Sequence, residues 1–292
     1  MLRNRYTGGV QLNRSNFLSK DLLRECRYKA SIFLKDKAQY HREKLFPKVI
    51  ESAMENGCNL FDTSSAYGSS ESRLGEALKK YPRDKYFIIT KIDNRSQYED
   101  RVQETFYKSL KSLNVDYVDL LLLHWPVENI YQKSWKILEM LYEEGLCRAI
   151  GVSNFNIHHL ESLEAVGNVK PMVDEFECHP LFTQNDLRSY CRSKDIQVIA
   201  YSSTARMNER LYKTCLVPIG KKYNKSVAQI ILRWHQQIGN IPIVNSTNPR
   251  HLIENTQIRD FSLTDGEIDR ITAININSRL RYDPDNCDFR QL

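Results

Sequence analysis

The strongest constraint in this sequence is a regular alternation of short, almost wholly apolar runs with longer amphipathic segments. The apolar runs are "CNLFD" (58–62), "YFIITK" (86–91), "VDLLLLH" (118–124), "RAIGVS" (148–153), "MVDEFE" (172–177), "QVIAYS" (197–202) and "IPIVNS" (241–246). Runs this short, with no polar alternation, belong to strands covered on both faces. Between them "PKVIESAMENG", "ESRLGEALKKY", "RVQETFYKSLKSLN", "SWKILEMLYEEG", "HHLESLEAVG", "NDLRSYCRSKD" and "SVAQIILRWHQQIG" read as helices. With "YKASIFL" (28–34) as a first strand the count is eight. Eight strand–helix units predict the α/β class and a (β/α)8 TIM barrel, closed by right-handed crossovers, in place of a doubly wound sheet. No Gly-, Pro- or Ser-rich linker or low-complexity tract interrupts the pattern, so residues 1–292 read as one domain.

Composition narrows the partners. The formal charge of +6 is scattered, with no basic run of five, and gives no footprint for nucleic acid. Seven cysteines, an odd number without a CxxC pair, argue against a disulfide framework or a zinc site and for reduced thiols in the cytoplasm. No window is apolar enough to span a membrane, and the basic N-terminus has no apolar stretch of the signal-peptide kind. Neither GxGxxG after a strand nor GxxxxGK[ST] is present, so a nucleotide would be held by other means.

In such a barrel chemistry gathers at the C-terminal ends of the strands. Asp62 closes "NLFD", Tyr67 lies in the loop that follows, Lys91 closes "YFIITK" and His124 closes "DLLLLH". Singly each has a bland explanation: a turn-forming Asp, a packed Tyr, a structural ion pair. Together they constrain one another, because a lysine after "FIIT" is desolvated and requires a partner such as Asp62. An ammonium beside a phenol is expected to lower the phenol pKa toward the working range. His124 is placed to hydrogen-bond a carbonyl oxygen, with Trp125 as an apolar wall for the substrate. The reaction that suits these groups is protonation of an oxygen while hydride reaches its carbon.

These residues resemble the aldo-keto reductases over roughly residues 45–290. The likeness rests on "FDTSSAYGSSESRLGEAL", "IITK", "VDYVDLLLLHWP", "GVSNF", "ECHP", "IAYS", "VAQIILRW" and "RLRYDPDNCDF". It implies a (β/α)8 carbonyl reductase with Tyr67 as proton donor, tuned by Lys91 and Asp62, and with His124 orienting the substrate. It further implies that Ser153 and Asn154 hold the nicotinamide carboxamide and that Tyr201 stacks on its ring. Glu175 stands where the family has a glutamine, and Asp174 where it has an asparagine; a carboxylate accepts from the amide but donates only when protonated. At the adenosine end Ser246 and Asn255 match the family, whereas Asn245 and His251 replace its lysine and arginine. Arg250 is the candidate to compensate, and Ser202 and Arg206 are candidates for phosphate contact. The resemblance implies NADP, with NAD as the competitor, a small carbonyl substrate and a monomer.

Other features depart or stay bland. The family's first-strand Gly-Thr-Trp segment is absent from residues 1–44. The tail 275–292 is expected to line the substrate pocket, with Tyr282 adding to its wall. Adjacent His158 and His159 are expected not to share a face, so no metal site is assigned. His179 is expected to be a satisfied structural histidine, and Cys58 and Cys147 core residues. Two alternatives remain open: a nicotinamide-binding regulatory member with little turnover, and a barrel hydrolase, which lacks a second strand-end carboxylate.

Overall fold

Eight parallel strands close on themselves in sequence order: β1 (Ser31–Phe33), β2 (Leu60–Asp62), β3 (Phe87–Ile92), β4 (Leu120–Leu123), β5 (Ile150–Ser153), β6 (Val173–Glu177), β7 (Gln197–Tyr201) and β8 (Ile241–Val244). The computed structural model describes residues 31–33, 46–246 and 248–290, and the expectations placed on 1–30 and 34–45 lie outside them. Closure comes from pairing β1 with β8, Ser31 opposite Ile243 and Ile32 opposite Val244. The first strand therefore falls inside the "YKASIFL" run.

Among the described residues the helices are α1 (Phe46–Glu55), α2 (Ser70–Leu78), α3 (Asn94–Tyr98), α4 (Val102–Leu113), α5 (Tyr131–Glu143), α6 (Ile157–Val166), α7 (Asn185–Ser193), α8 (Leu216–Tyr223), α9 (Val227–Gln237), α10 (Pro249–Thr256) and α11 (Asp265–Thr272). Seven of them coincide with the amphipathic segments. The other four, α3, α8, α10 and α11, have five to eight residues, too few for a helical period to stand out. A local signal existed for α11, whose Thr264 and Glu267 form a reciprocal capping box.

Strand alternation divides the apolar residues between two cores. Leu60, Phe87, Ile89, Leu120, Leu122, Val173 and Ile199 fill the barrel, whereas Phe61, Ile88, Leu121, Leu123 and Val198 pack with the helices. Side chains along a strand point alternately inward and outward, so each inward series continues in step to the strand's C-terminal end. Leu60 leads to Asp62, Phe87 and Ile89 to Lys91, Leu120 and Leu122 to His124, Val173 to Glu175 and Glu177, and Ile199 to Tyr201. Polar groups at the barrel mouth are thus a consequence of register. Gly151 sits within this packing because a Cβ there would come 2.5 Å from the Val173 carbonyl oxygen.

Candidate active site

The hydroxyl-rich run after β2 is pinned to β3. Thr63 N donates to Ile89 O at 2.9 Å, Ser65 N and Oγ both donate to Lys91 O at 3.2 and 3.0 Å, and Ser70 accepts from Thr63 at 2.8 Å. Gly68, at φ +59°, completes the turn into α2. This loop delivers Tyr67 over the barrel mouth, 7% exposed, with its hydroxyl 3.2 Å from His124 Nε2. His124 Nδ1 in turn lies 3.4 Å from Ser64 Oγ, a partner that the sequence did not single out. Lys91 and Asp62 are wholly buried and paired, Lys91 also donating to Thr63 O at 3.2 Å, and its ammonium lies 5.6 Å from the centre of the Tyr67 ring. Asp62, Tyr67, Lys91 and His124 therefore converge.

A second carboxylate joins them. Glu175 Oε1 lies 3.3 Å from Lys91 Nζ, so one ammonium stands between two buried acids. Burial, then the Asp62 charge, pushes Glu175 up to about 8, and burial also raises Asp62 against the pull of Lys91. The expected lowering of the Tyr67 phenol is reversed. Burial first, then the charges of Asp62 and Glu175, hold it well above its ordinary value. Burial is the largest of these effects, and the two acids add to it. Asp174 is out of step with Glu175 and faces the helix layer, where its charge acts on Cys191 of α7.

Several of the residues singled out for a nucleotide lie together at the mouths of β5 and β7. Asn154, at φ 64°, donates through Nδ2 to His124 O at 3.0 Å and Ser153 Oγ at 3.1 Å, and accepts from the Tyr201 hydroxyl at 2.5 Å. Farther out is a cavity of about 760 Å³ whose lining includes Thr204, Lys221, Asn245, Ser246, His251 and Asn255. Ser202, Arg206 and Arg250 are not part of that lining. Arg206 and Arg250 are exposed, and Ser202 is half-buried in a loop where Ala205, Arg206 and Met207 all hold φ near +50°. The cation that does reach the cavity is Lys221 of α8, exposed and without an ion-pair partner among the described residues; the other lining ammonium, Lys225, is tied to Asp260 at 2.7 Å. No local spacing signals Lys221, because the cavity is assembled from α8 and α10.

The tail reaches the site, but not through Tyr282, which is 59% exposed. Phe289 instead packs on Trp125, ring centres 6.2 Å apart, and its carbonyl accepts from Asn94 Nδ2 of α3 at 3.1 Å. Glu177 anchors the preceding turn, accepting from the amides of Leu280 at 2.6 Å and Arg281 at 2.8 Å. Glu177 also pairs with His179 Nε2 at 2.9 Å, whereas the buried Nδ1 of that histidine has no partner among the described residues, so it is only half satisfied. His158 and His159 do converge, contrary to expectation: their Nε2 atoms lie 3.3 and 3.7 Å from Asp285 Oδ1. In the first turn of α6 both rings bend toward the tail. His159 Nδ1 accepts the Asn156 amide at 3.1 Å, which leaves its proton on Nε2, aimed at Asp285, where a metal would have to sit. Cys58 and Cys147 are buried, as expected of core residues.

Comparison with known proteins places this geometry. The model of the Aldo/keto reductase family matches residues 33–276. The uncharacterized oxidoreductase YtbE of Bacillus subtilis (strain 168) is 42% identical over 246 residues, 82% of this chain and 87% of the relative. The glyoxal reductase of the same organism is 40% identical over 82% of this chain and 87% of its own length. Among solved structures, the Bombyx mori aldo-keto reductase AKR2E4 in complex with NADP superposes with a TM-score of 0.80 at 29% identity, covering 88% of this chain and 92% of that one.

Proposed function

Because this chain belongs to the aldo/keto reductase family, we propose that it reduces small aldehydes or ketones to alcohols with a nicotinamide cofactor, NADP in preference to NAD. The residues fit such a group. Glu175 Oε2 is a buried oxygen without a partner, beside Ser153, Asn154 and Tyr201, and these four would hold an amide-bearing ring. Ser246 and Asn255, with His251 and Lys221, line a cavity suited to a phosphorylated nucleoside. When bound, the cofactor supplies hydride to the carbonyl carbon.

The protein's own part is the proton. His124, with its proton on Nε2, donates to the carbonyl oxygen and fixes its direction, the Ser64 hydroxyl turning to Nδ1. Tyr67 gives its phenolic proton to that oxygen as negative charge develops there. A phenol raised well above its ordinary value still serves, because an alkoxide-like oxygen is more basic than a phenolate. Lys91, held by Asp62, stabilises the phenolate that remains. Trp125 and Phe289 close an apolar wall and exclude water. The observation that carries this reading is the 3.2 Å contact of Tyr67 with His124 above the buried Lys91–Asp62 pair.

The test is oxidation of NADPH by the purified protein with glyoxal and a panel of longer aldehydes and ketones. Failure on every carbonyl, with dinucleotide still bound, would favour the regulatory alternative. The glyoxal-reducing relative makes short dicarbonyls the first substrates to try. No described helix is long and apolar enough to cross a membrane.

Cofactor choice has its own expected result. Lys221 offers a charge-assisted contact to a 2′-phosphate in place of the charges lost at Asn245 and His251. Lys221→Gln is expected to raise KM for NADPH about tenfold, the equivalent of one such contact, and to leave KM for NADH unchanged. Equal effects on both cofactors would remove Lys221 from this role.

A further inference from the structure

We propose that Glu175 holds a proton while the enzyme works, donates it to Asp62, and thereby sets the upper pH limit of proton donation by Tyr67. This deepens the carbonyl-reductase reading and rests on it. Asp62, Lys91 and Glu175 come from three different strands, β2, β3 and β6, and are all buried. Fully ionised, they would leave one uncompensated negative charge inside the barrel mouth, an arrangement that burial penalises heavily. Asp62 Oδ2 and Glu175 Oε2 would each also lack a donor. One proton on Glu175 brings the cluster to neutrality and supplies a donor between the two acids, which flank the same ammonium. The proton belongs on Glu175 because Asp62 takes the direct hydrogen bond from Lys91, whereas Glu175 stands 3.3 Å away.

The groups that face Glu175 from neighbouring elements are Asp62 of β2, Lys91 of β3, Tyr67 of the β2 loop and Tyr201 of β7, with Asp174 next to it in β6. Arg281 of the tail acts on both tyrosines. Glu175 titrates at about 8 in this setting. Its ionisation places a second full charge near Tyr67, draws on the Lys91 ammonium and makes the phenol a weaker donor. Besides its place at the amide-bearing ring, Glu175 thus acts on Tyr67 through Lys91. Glutamine at this position would keep the shape and lose the titration.

Two readouts test this. In the pH profile of kcat for carbonyl reduction, activity is expected to fall through an apparent pKa near 8 in the wild type, and Glu175→Gln is expected to displace that limb upward by more than about one unit. Independently of turnover, infrared difference spectra of the apo protein should contain a buried carboxylic-acid band that is lost in Glu175→Gln and kept in Asp174→Asn, the other buried acid of β6. If Glu175→Gln does not fold, Asp174→Asn alone must show a carboxylic-acid band titrating between about 7 and 9. A limb that does not move, or the absence of such a band, overturns the proposal. Absence of carbonyl turnover at every pH would instead sink the reductase reading, and the infrared band would still report on Glu175.

Discussion

Tyr67→Phe is expected to lower kcat for carbonyl reduction by about 10²- to 10⁴-fold, the range ascribed to a positioned general acid, and to leave the Kd for NADPH nearly unchanged. Phenylalanine keeps the ring that packs over the Lys91–Asp62 pair and removes only the hydroxyl, which is 3.2 Å from His124 Nε2. The residues assigned to the dinucleotide, Asn154 and Tyr201 among them, hold one another through a separate hydrogen bond and do not depend on that hydroxyl. The loop that carries Tyr67 is fixed by backbone and serine contacts to β3, so its course should survive. The measurement is steady-state kinetics beside fluorescence titration of NADPH. Retained turnover would remove Tyr67 as the acid and leave His124, or a water it orients, as the donor. A parallel loss of cofactor affinity would mean that the hydroxyl organises the mouth as a whole.

How much of this was legible in the sequence depends on how local the cause is. The barrel was legible because eight apolar runs separated by amphipathic segments have few other ways to be covered. The convergence of Asp62, Lys91 and His124 was legible because each ends a strand in phase with inward-pointing residues, and phase can be read within a single strand. The electrostatics were not. "VDEFE" announces two carboxylates, but only the closed sheet brings Glu175 across the mouth to Lys91, and the sequence argument therefore set one ammonium against Tyr67 without the second acid. Residue type alone also favoured Tyr282 as a wall, whereas the tail, anchored on Glu177, turns Phe289 inward and leaves Tyr282 outside. Lys221 lay beyond reach for the same reason: its helix has eight residues, and its neighbours in the cavity come from a segment some thirty positions later.

The same buried cluster predicts what becomes of stability when its cation is removed. Lys91→Met is expected to abolish reduction and to destabilise the protein by about 3–5 kcal/mol, the cost of leaving buried acids without their partner, seen as a drop in Tm of roughly 6–15 °C. The sign of the pH dependence follows from linkage. Glu175 is raised from an ordinary 4.5 to about 8 in the folded state, so the folded protein binds a proton that the unfolded chain releases between those values. Its stabilising contribution is complete below about 4.5 and is lost as pH rises toward about 8. Without Lys91 both acids rise further, the window widens, and the loss of stability on going from acid to neutral pH becomes steeper. Thermal melts of the wild type and Lys91→Met at about pH 5 and about pH 8 should therefore diverge, with the larger gap at the higher pH. Adding Glu175→Gln to Lys91→Met removes one of the two stranded acids and should restore part of the Tm at pH 8 and little at pH 5. Parallel melts for single and double variants would mean that the ammonium and the second carboxylate are not energetically coupled, in spite of the 3.3 Å between them.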